Sequence, residues 1–140
     1  MALVVDASVA FKWFVPEANS GPALALLDQA DEFVAPDLIV LEVINAMWAR
    51  LRGQNDFESI VTEACVALPK MFDSMYPLTD LMPRSLELGI ELNHRLYDCV
   101  YLALAERQKL QLVTADLNFS RKVRDSSYSQ YISSLTEEFE

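Results

Sequence analysis

Two short apolar runs, each ended by an aspartate and followed at once by a helical pattern, constrain this chain more than any other feature. The first is Ala2-Leu3-Val4-Val5-Asp6; the second is Gln111-Leu112-Val113-Thr114-Ala115-Asp116. Such runs have strand length, and strands alternating with helices fold into a parallel sheet covered on both faces. In sheets of this kind reactive groups collect just beyond the carboxyl ends of the strands. Asp6 and Asp116 therefore fall at equivalent strand-to-helix junctions. Each also has an ordinary structural use, because an aspartate there can cap the free N–H groups of the helix that follows.

Between these runs the pattern alternates. Helices are predicted over 7–15, stopped near Pro16, and over 21–31 with Leu24, Leu26 and Leu27 inward. A short strand follows at Phe33-Val34-Ala35. Pro36-Asp37 opens a helix to Arg52, with proline at the first-turn position and Gly53 just past the end. A further helix runs over 56–72, with Pro69 kinking or ending it, and Met75–Thr79 reads as an edge strand containing Pro77. Helices over 83–92 and 97–106, a short basic helix over 118–124 and a last strand within 128–135 complete the series, before an acidic tail of Glu137, Glu138 and Glu140. The expected architecture is α/β, with a parallel sheet of about five short strands in one domain spanning residues 1–140.

The formal charge is −10, from 11 basic and 21 acidic side chains, so the surface as a whole repels phosphate backbones and anionic membranes. Any attraction for nucleic acid has to be local. Arg121, Lys122 and Arg124 form the one basic cluster, which is equally the ordinary basic end of a helix. Cys65 and Cys99 both lie in apolar helical patterns and read as buried, reduced thiols. No apolar stretch approaches the roughly 18 residues of a membrane helix, so a cytoplasmic protein with no membrane partner is expected.

Two more acids need an explanation. Glu42 sits inside Leu38-Ile39-Val40-Leu41-Glu42-Val43-Ile44, and Asp98 in the first turn of the nearly all-apolar helix Tyr97–Glu106. Burying an ionised carboxylate without a partner is costly, and no Lys or Arg is near Glu42 in sequence. If Asp6, Glu42, Asp98 and Asp116 converge, their mutual repulsion calls for a compensating cation. Hard oxygen donors favour Mg²⁺ or Mn²⁺ over zinc. Asn45, one turn after Glu42, shares its helix face. His94 reads as a surface or loop residue. Lys12, Arg121, Lys122 and Arg124 are the weaker candidates for contacts to phosphate.

Val4-Val5-Asp6-Ala7-Ser8, Leu41-Glu42-Val43-Ile44-Asn45-Ala46, Leu96-Tyr97-Asp98-Cys99-Val100-Tyr101-Leu102-Ala103-Leu104-Ala105 and Leu112-Val113-Thr114-Ala115-Asp116 occur in that order over nearly the full length. This ordered set resembles the PIN domain family, and within it the small toxins of the VapC type. The resemblance implies a three-layer α/β/α PIN-like fold and a metal-dependent endoribonuclease. It makes Asp6, Glu42, Asp98 and Asp116 the catalytic metal-binding acids, with Ser8 and Thr114 as hydroxyl supports. Where many relatives carry a further acid after the fourth-strand aspartate, this chain has Asn118. The resemblance also implies a cognate antitoxin, and the apolar early helices bearing Phe11, Trp13, Phe14, Met47 and Trp48 suggest a homodimer face or a groove for such a partner. The alternative is a non-catalytic or housekeeping PIN-fold protein that binds or processes RNA without an antitoxin. A phosphotransfer receiver would pair acids at the first strand, where Val4 and Val5 stand, and a haloacid-dehalogenase-type phosphatase would carry a second Asp at the position of Ser8.

Overall fold

The computed structural model describes residues 1–136; the acidic tail lies outside the described residues. The elements run β1 (Ala2–Val5), α1 (Ala7–Phe14), α2 (Ser20–Gln29), β2 (Glu32–Pro36), α3 (Leu38–Leu51), α4 (Phe57–Lys70) and β3 (Ser74–Tyr76). They continue as α5 (Leu78–Leu92), α6 (Leu96–Gln108), β4 (Gln111–Thr114), α7 (Leu117–Arg124), a 3-10 turn at Ser129–Tyr131 and β5 (Ile132–Ser134). All five strands are parallel in the order β3-β2-β1-β4-β5. In register, Val4 of β1 lies between Val34 of β2 and Leu112 of β4. Right-handed crossovers put α1 to α4 on one face and α5 to α7 on the other. The packing agrees: α1 contacts α2 and α3, α3 contacts α4, and α5 lies along α6. The three-layer α/β/α sandwich expected from the sequence is the one found.

The central strand is buried on both faces, with Leu3, Val4 and Val5 at 1% exposure or less. That is why it shows no polar alternation. α6 is the most buried helix, with every residue from Cys99 to Ala105 inside, because it lies across β1, β2 and β4 while α5 covers it. Gly89 permits the close approach of the two helices at their turn, since a Cβ there would stand 2.6 Å from Leu96 Cδ2 and 3.2 Å from the His94 carbonyl oxygen. Arg84 of α5 reaches Glu106 of α6 through Nε and Nη2 at 2.7 and 2.9 Å and Tyr128 Oη at 3.2 Å, tying both helices to the C-terminal segment.

Several local expectations are corrected. Pro36 closes β2 rather than opening α3, and Pro77 caps α5 rather than sitting inside β3, which stays at the sheet edge as expected. α5 starts at Leu78, so Pro83 lies inside it; the missing N–H costs one bond in the second turn, which helix packing outweighs. α4 continues to Lys70, one residue past Pro69. Leu24 is 46% exposed rather than inward, and Cys65 is exposed on α4 rather than buried, while Cys99 is inside. Phe11 and Met47 belong to the core, and Trp13 is pinned by its Nε1 donating to the Ala23 carbonyl at 2.9 Å and by edge contact with Phe33. Of the early aromatics only Trp48 is open, at 53%.

Candidate active site

β1 has β2 on one side and β4 on the other, so the chain reverses its direction of travel across the sheet between these strands. Crevices form at the carboxyl end of such a switch point. Asp6 follows β1 there and Asp116 follows β4.

Asp6 is almost wholly buried and acts as the N-cap of α1, with Oδ1 accepting from Val9 N at 3.3 Å. Two hydroxyls grip it: Ser8 Oγ donates to Oδ1 and Thr114 Oγ1 to Oδ2, each at 2.5 Å. Both hydroxyls are themselves fixed, since Ser8 Oγ accepts from Ala115 N at 3.0 Å and Thr114 Oγ1 from Asp116 N at 3.1 Å. The carboxyl is thereby locked to the β4–α7 junction. Burial pushes its pKa up to about 6; the hydroxyl donors and Val9 N–H oppose the rise, and the negative charge of Asp98 adds to it.

Glu42 projects from α3 and accepts a 2.5 Å hydrogen bond on Oε1 from the Tyr101 hydroxyl of α6. Burial raises its pKa, with Asp98 adding to the rise; Tyr101 and the positive charge of Arg95 work against it. Tyr101 itself is 1% exposed, and its phenol is pushed well above its ordinary range by burial and by the surrounding charges of Glu42, Asp6 and Asp98. Asp98 Oδ2 accepts from two residues of the α5–α6 turn, His94 Nε2 at 2.7 Å and Arg95 Nε at 2.9 Å. Asp116 caps α7, with Oδ1 accepting from Phe119 N at 3.1 Å, and its Oδ2 lies 3.7 Å from Arg95 Nη2.

The structure thus sets Asp98 within electrostatic reach of both Asp6 and Glu42, and Tyr101 within reach of all three, with Asp116 joined to the group through Arg95 and Thr114. Among the described residues no three His, Cys, Asp or Glu side chains are gathered as tightly as a bound metal requires. Their rotamers answer to hydroxyl, imidazole and guanidinium partners instead. The donor chemistry itself, all oxygen with a buried and poorly compensated carboxylate at its centre, fits a hard divalent cation.

The remaining candidates divide. Ser8 and Thr114 contact Asp6 directly, as above. Asn45 and Asn118 are exposed, and no hydrogen bond joins either to the four acids among the described residues. Lys12 borders an open cleft of about 470 Å³ lined also by Ser8, Glu42, Arg50 and Asp116, but its Nζ is held by Glu17 Oε2 at 2.7 Å and the Ala18 carbonyl at 2.9 Å. Glu17 holds Arg50 too. Arg121, Lys122 and Arg124 lie on the outer side of α7, and Lys122 is directed back to the Asn93 carbonyl at 3.1 Å and His94 Nδ1 at 3.2 Å. His94, read from the sequence as a surface or loop residue, does lie in the α5–α6 turn, but its side chain is only 13% exposed and bonds Asp98. Tyr101 and Arg95 are the residues beside the acids that the sequence reading passed over; Tyr101 falls three residues after Asp98 on α6, a helical spacing that could have pointed to it.

Comparison with known proteins agrees with this geometry. The sequence model of the PIN domain matches residues 3–124. Ribonuclease VapC3 of Pyrobaculum aerophilum is 30% identical over 124 residues, covering 87% of this chain and 95% of that protein. Ribonuclease VapC1 of Mycobacterium tuberculosis is 30% identical over 115 residues, covering 81% and 84%. Among solved structures, a toxin–antitoxin complex from Klebsiella pneumoniae superposes with a TM-score of 0.71 at 17% identity, over 97% of this chain and 99% of that one. A buried aspartate at the switch point of a five-stranded parallel sheet, a match over most of the length and relatives of the same size lead to one assignment: the chain belongs to the PIN domain family.

Proposed function

We propose that this chain is an endoribonuclease of the VapC type, dependent on Mg²⁺ or Mn²⁺ and paired with a cognate antitoxin, and that its working unit is a single PIN-like domain of residues 1–140. The observation that carries the reading is the Asp6 carboxyl, buried at the switch point with its proton affinity raised and with Glu42 and Asp98 close enough to sense one another's charge. A scaffold gains nothing by keeping such acids together; a hydrolase of phosphodiesters does. The names of the two 30% identical relatives point the same way.

Asp6, Glu42, Asp98 and Asp116 would hold the metal. When bound, the ion supplies charge stabilisation at the phosphate and activates water. The protein's own part is positional. Ser8 and Thr114 fix Asp6, Tyr101 aims Glu42, and His94 orients Asp98. The cleft bordered by Ser8, Glu42 and Asp116 admits the RNA strand, with Lys12 and Arg50 on its wall as local attraction in an otherwise anionic protein.

Among the described residues no helix is long and apolar enough to cross a membrane, and a cytoplasmic site of action is part of the proposal. A homodimer and an antitoxin segment are the partners proposed for the exposed apolar side chains, including Leu41, Trp48 and Tyr97. Induced expression tests the toxin reading. The wild-type chain should arrest growth, and both Asp6→Asn and co-expression of the proposed cognate antitoxin should relieve the arrest. Arrest by Asp6→Asn equal to wild type overturns it.

A further inference from the structure

Arg95 brings a positive charge to the carboxylates from the far side of the sheet. It is the N-cap residue of α6, and its side chain folds back over the first turn. Nε donates to Asp98 Oδ2 at 2.9 Å, while Nη2 lies 3.7 Å from Asp116 Oδ2. Its charge is also felt at Glu42. One guanidinium therefore bridges acids from α6 and the β4–α7 junction, and it uses oxygens that a divalent cation would take.

Mobility separates Arg95 from the other partner of Asp98. The Arg95 side chain is 67% exposed, so it can leave without unpacking anything. His94 is 13% exposed, with its ring against Phe119 at 4.6 Å and its second nitrogen 3.2 Å from Lys122 Nζ. Imidazole is the fixed support of Asp98, and guanidinium is the removable one.

We propose that Arg95 is a built-in competitor for the metal: it pairs with Asp98 and Asp116 until a divalent cation takes those oxygens, then turns outward to contact a phosphate of the bound RNA. The inference rests on the metal-dependent reading above. An ion pair with one partner exposed to water holds weakly, so its removal should tighten metal binding by roughly two- to fivefold. Arginine suits the second role because its planar fork matches phosphate oxygens.

The test titrates Mn²⁺ calorimetrically into the full chain stripped with chelator, for wild type, Arg95→Gln, Arg95→Lys and Asp98→Asn, and measures KM and kcat on a single RNA at saturating Mn²⁺. Arg95→Gln should bind Mn²⁺ two- to fivefold tighter than wild type yet show a raised KM with kcat little changed. Arg95→Lys, which keeps the charge and loses the fork, should fall between. A residue with a merely structural role would not move metal and RNA binding in opposite directions. Wild-type or weaker Mn²⁺ affinity in Arg95→Gln, with Asp98→Asn still impaired, overturns the competition while leaving the metal site standing. An unchanged KM overturns the phosphate contact. Equal Mn²⁺ uptake by wild type and Asp98→Asn overturns the metal reading and this inference with it.

Discussion

The Tyr101 hydroxyl donates to Glu42 Oε1 at 2.5 Å and so joins α6 on one face of the sheet to α3 on the other, above the carboxyl end of β1. Tyr101 is buried, and Glu42 is the partner of its hydroxyl. Tyr101→Phe removes this donor without changing the shape of the core. It should lower unfolding stability in urea by about 1–2 kcal/mol, as expected for a hydrogen bond to a half-buried carboxylate. An unchanged midpoint would show that the bond adds nothing to the link between the two layers.

Thr114 carries a heavier burden. Its hydroxyl is fully buried, donates to Asp6 Oδ2 and accepts from Asp116 N. Thr114→Val keeps the volume and strands both partners. A loss of about 2–3 kcal/mol is expected from leaving a buried acceptor and a backbone donor unpaired, read as a lower denaturation midpoint with the slope unchanged. The variant should also bind Mn²⁺ more weakly, because Asp6 Oδ2 loses the hydroxyl that orients it while Ser8 holds only Oδ1.

The raised pKa of Asp6 sets a direction for pH. A carboxyl that holds its proton more tightly when folded stabilises the fold at low pH. That contribution is complete below the unfolded value near 3.8 and is lost as pH rises through about 6. In EDTA, the difference in stability between Asp6→Asn and wild type should grow in favour of the variant across this window, reaching about 3 kcal/mol for a rise from 3.8 to about 6. Glu17 and Glu106 act in the opposite sense, since Lys12 and Arg50 overcome burial at the first and Arg84 lowers the second; only the difference between the two proteins isolates Asp6. A flat difference from pH 4 to pH 7 would mean that Asp6 is not the strained group.

Much of this was legible in the sequence where local pattern decides structure. The buried runs Leu3-Val4-Val5 and Leu112-Val113 read as strands, and the aspartates behind them, read as either site acids or helix caps, cap α1 and α7 at the switch point. Glu42 and Asp98 stood out because apolar neighbours leave a carboxylate needing a reason. What could not be read depends on how helices cross. Tyr101 looks like one more core aromatic until α6 is laid against α3, and Arg95 looks like a loop cation until the turn allowed by Gly89 folds it over Asp98 and towards Asp116. Pro36, Pro77 and Pro83 misled for a related reason: proline forbids particular hydrogen bonds, and tertiary packing chose which of the remaining positions each one occupies.

The four-acid site is tested most directly by cleavage of one purified RNA by wild type, Asp6→Asn and Asp98→Asn, each in Mn²⁺ and in EDTA, after equal folding has been verified by denaturation. Cleavage should require Mn²⁺ in the wild type and fall at least about 100-fold in either variant, the scale seen when preorganised charge stabilisation of a transition state is lost. Wild-type cleavage that persists in EDTA, or Asp6→Asn cutting at the wild-type rate in Mn²⁺, would contradict the account.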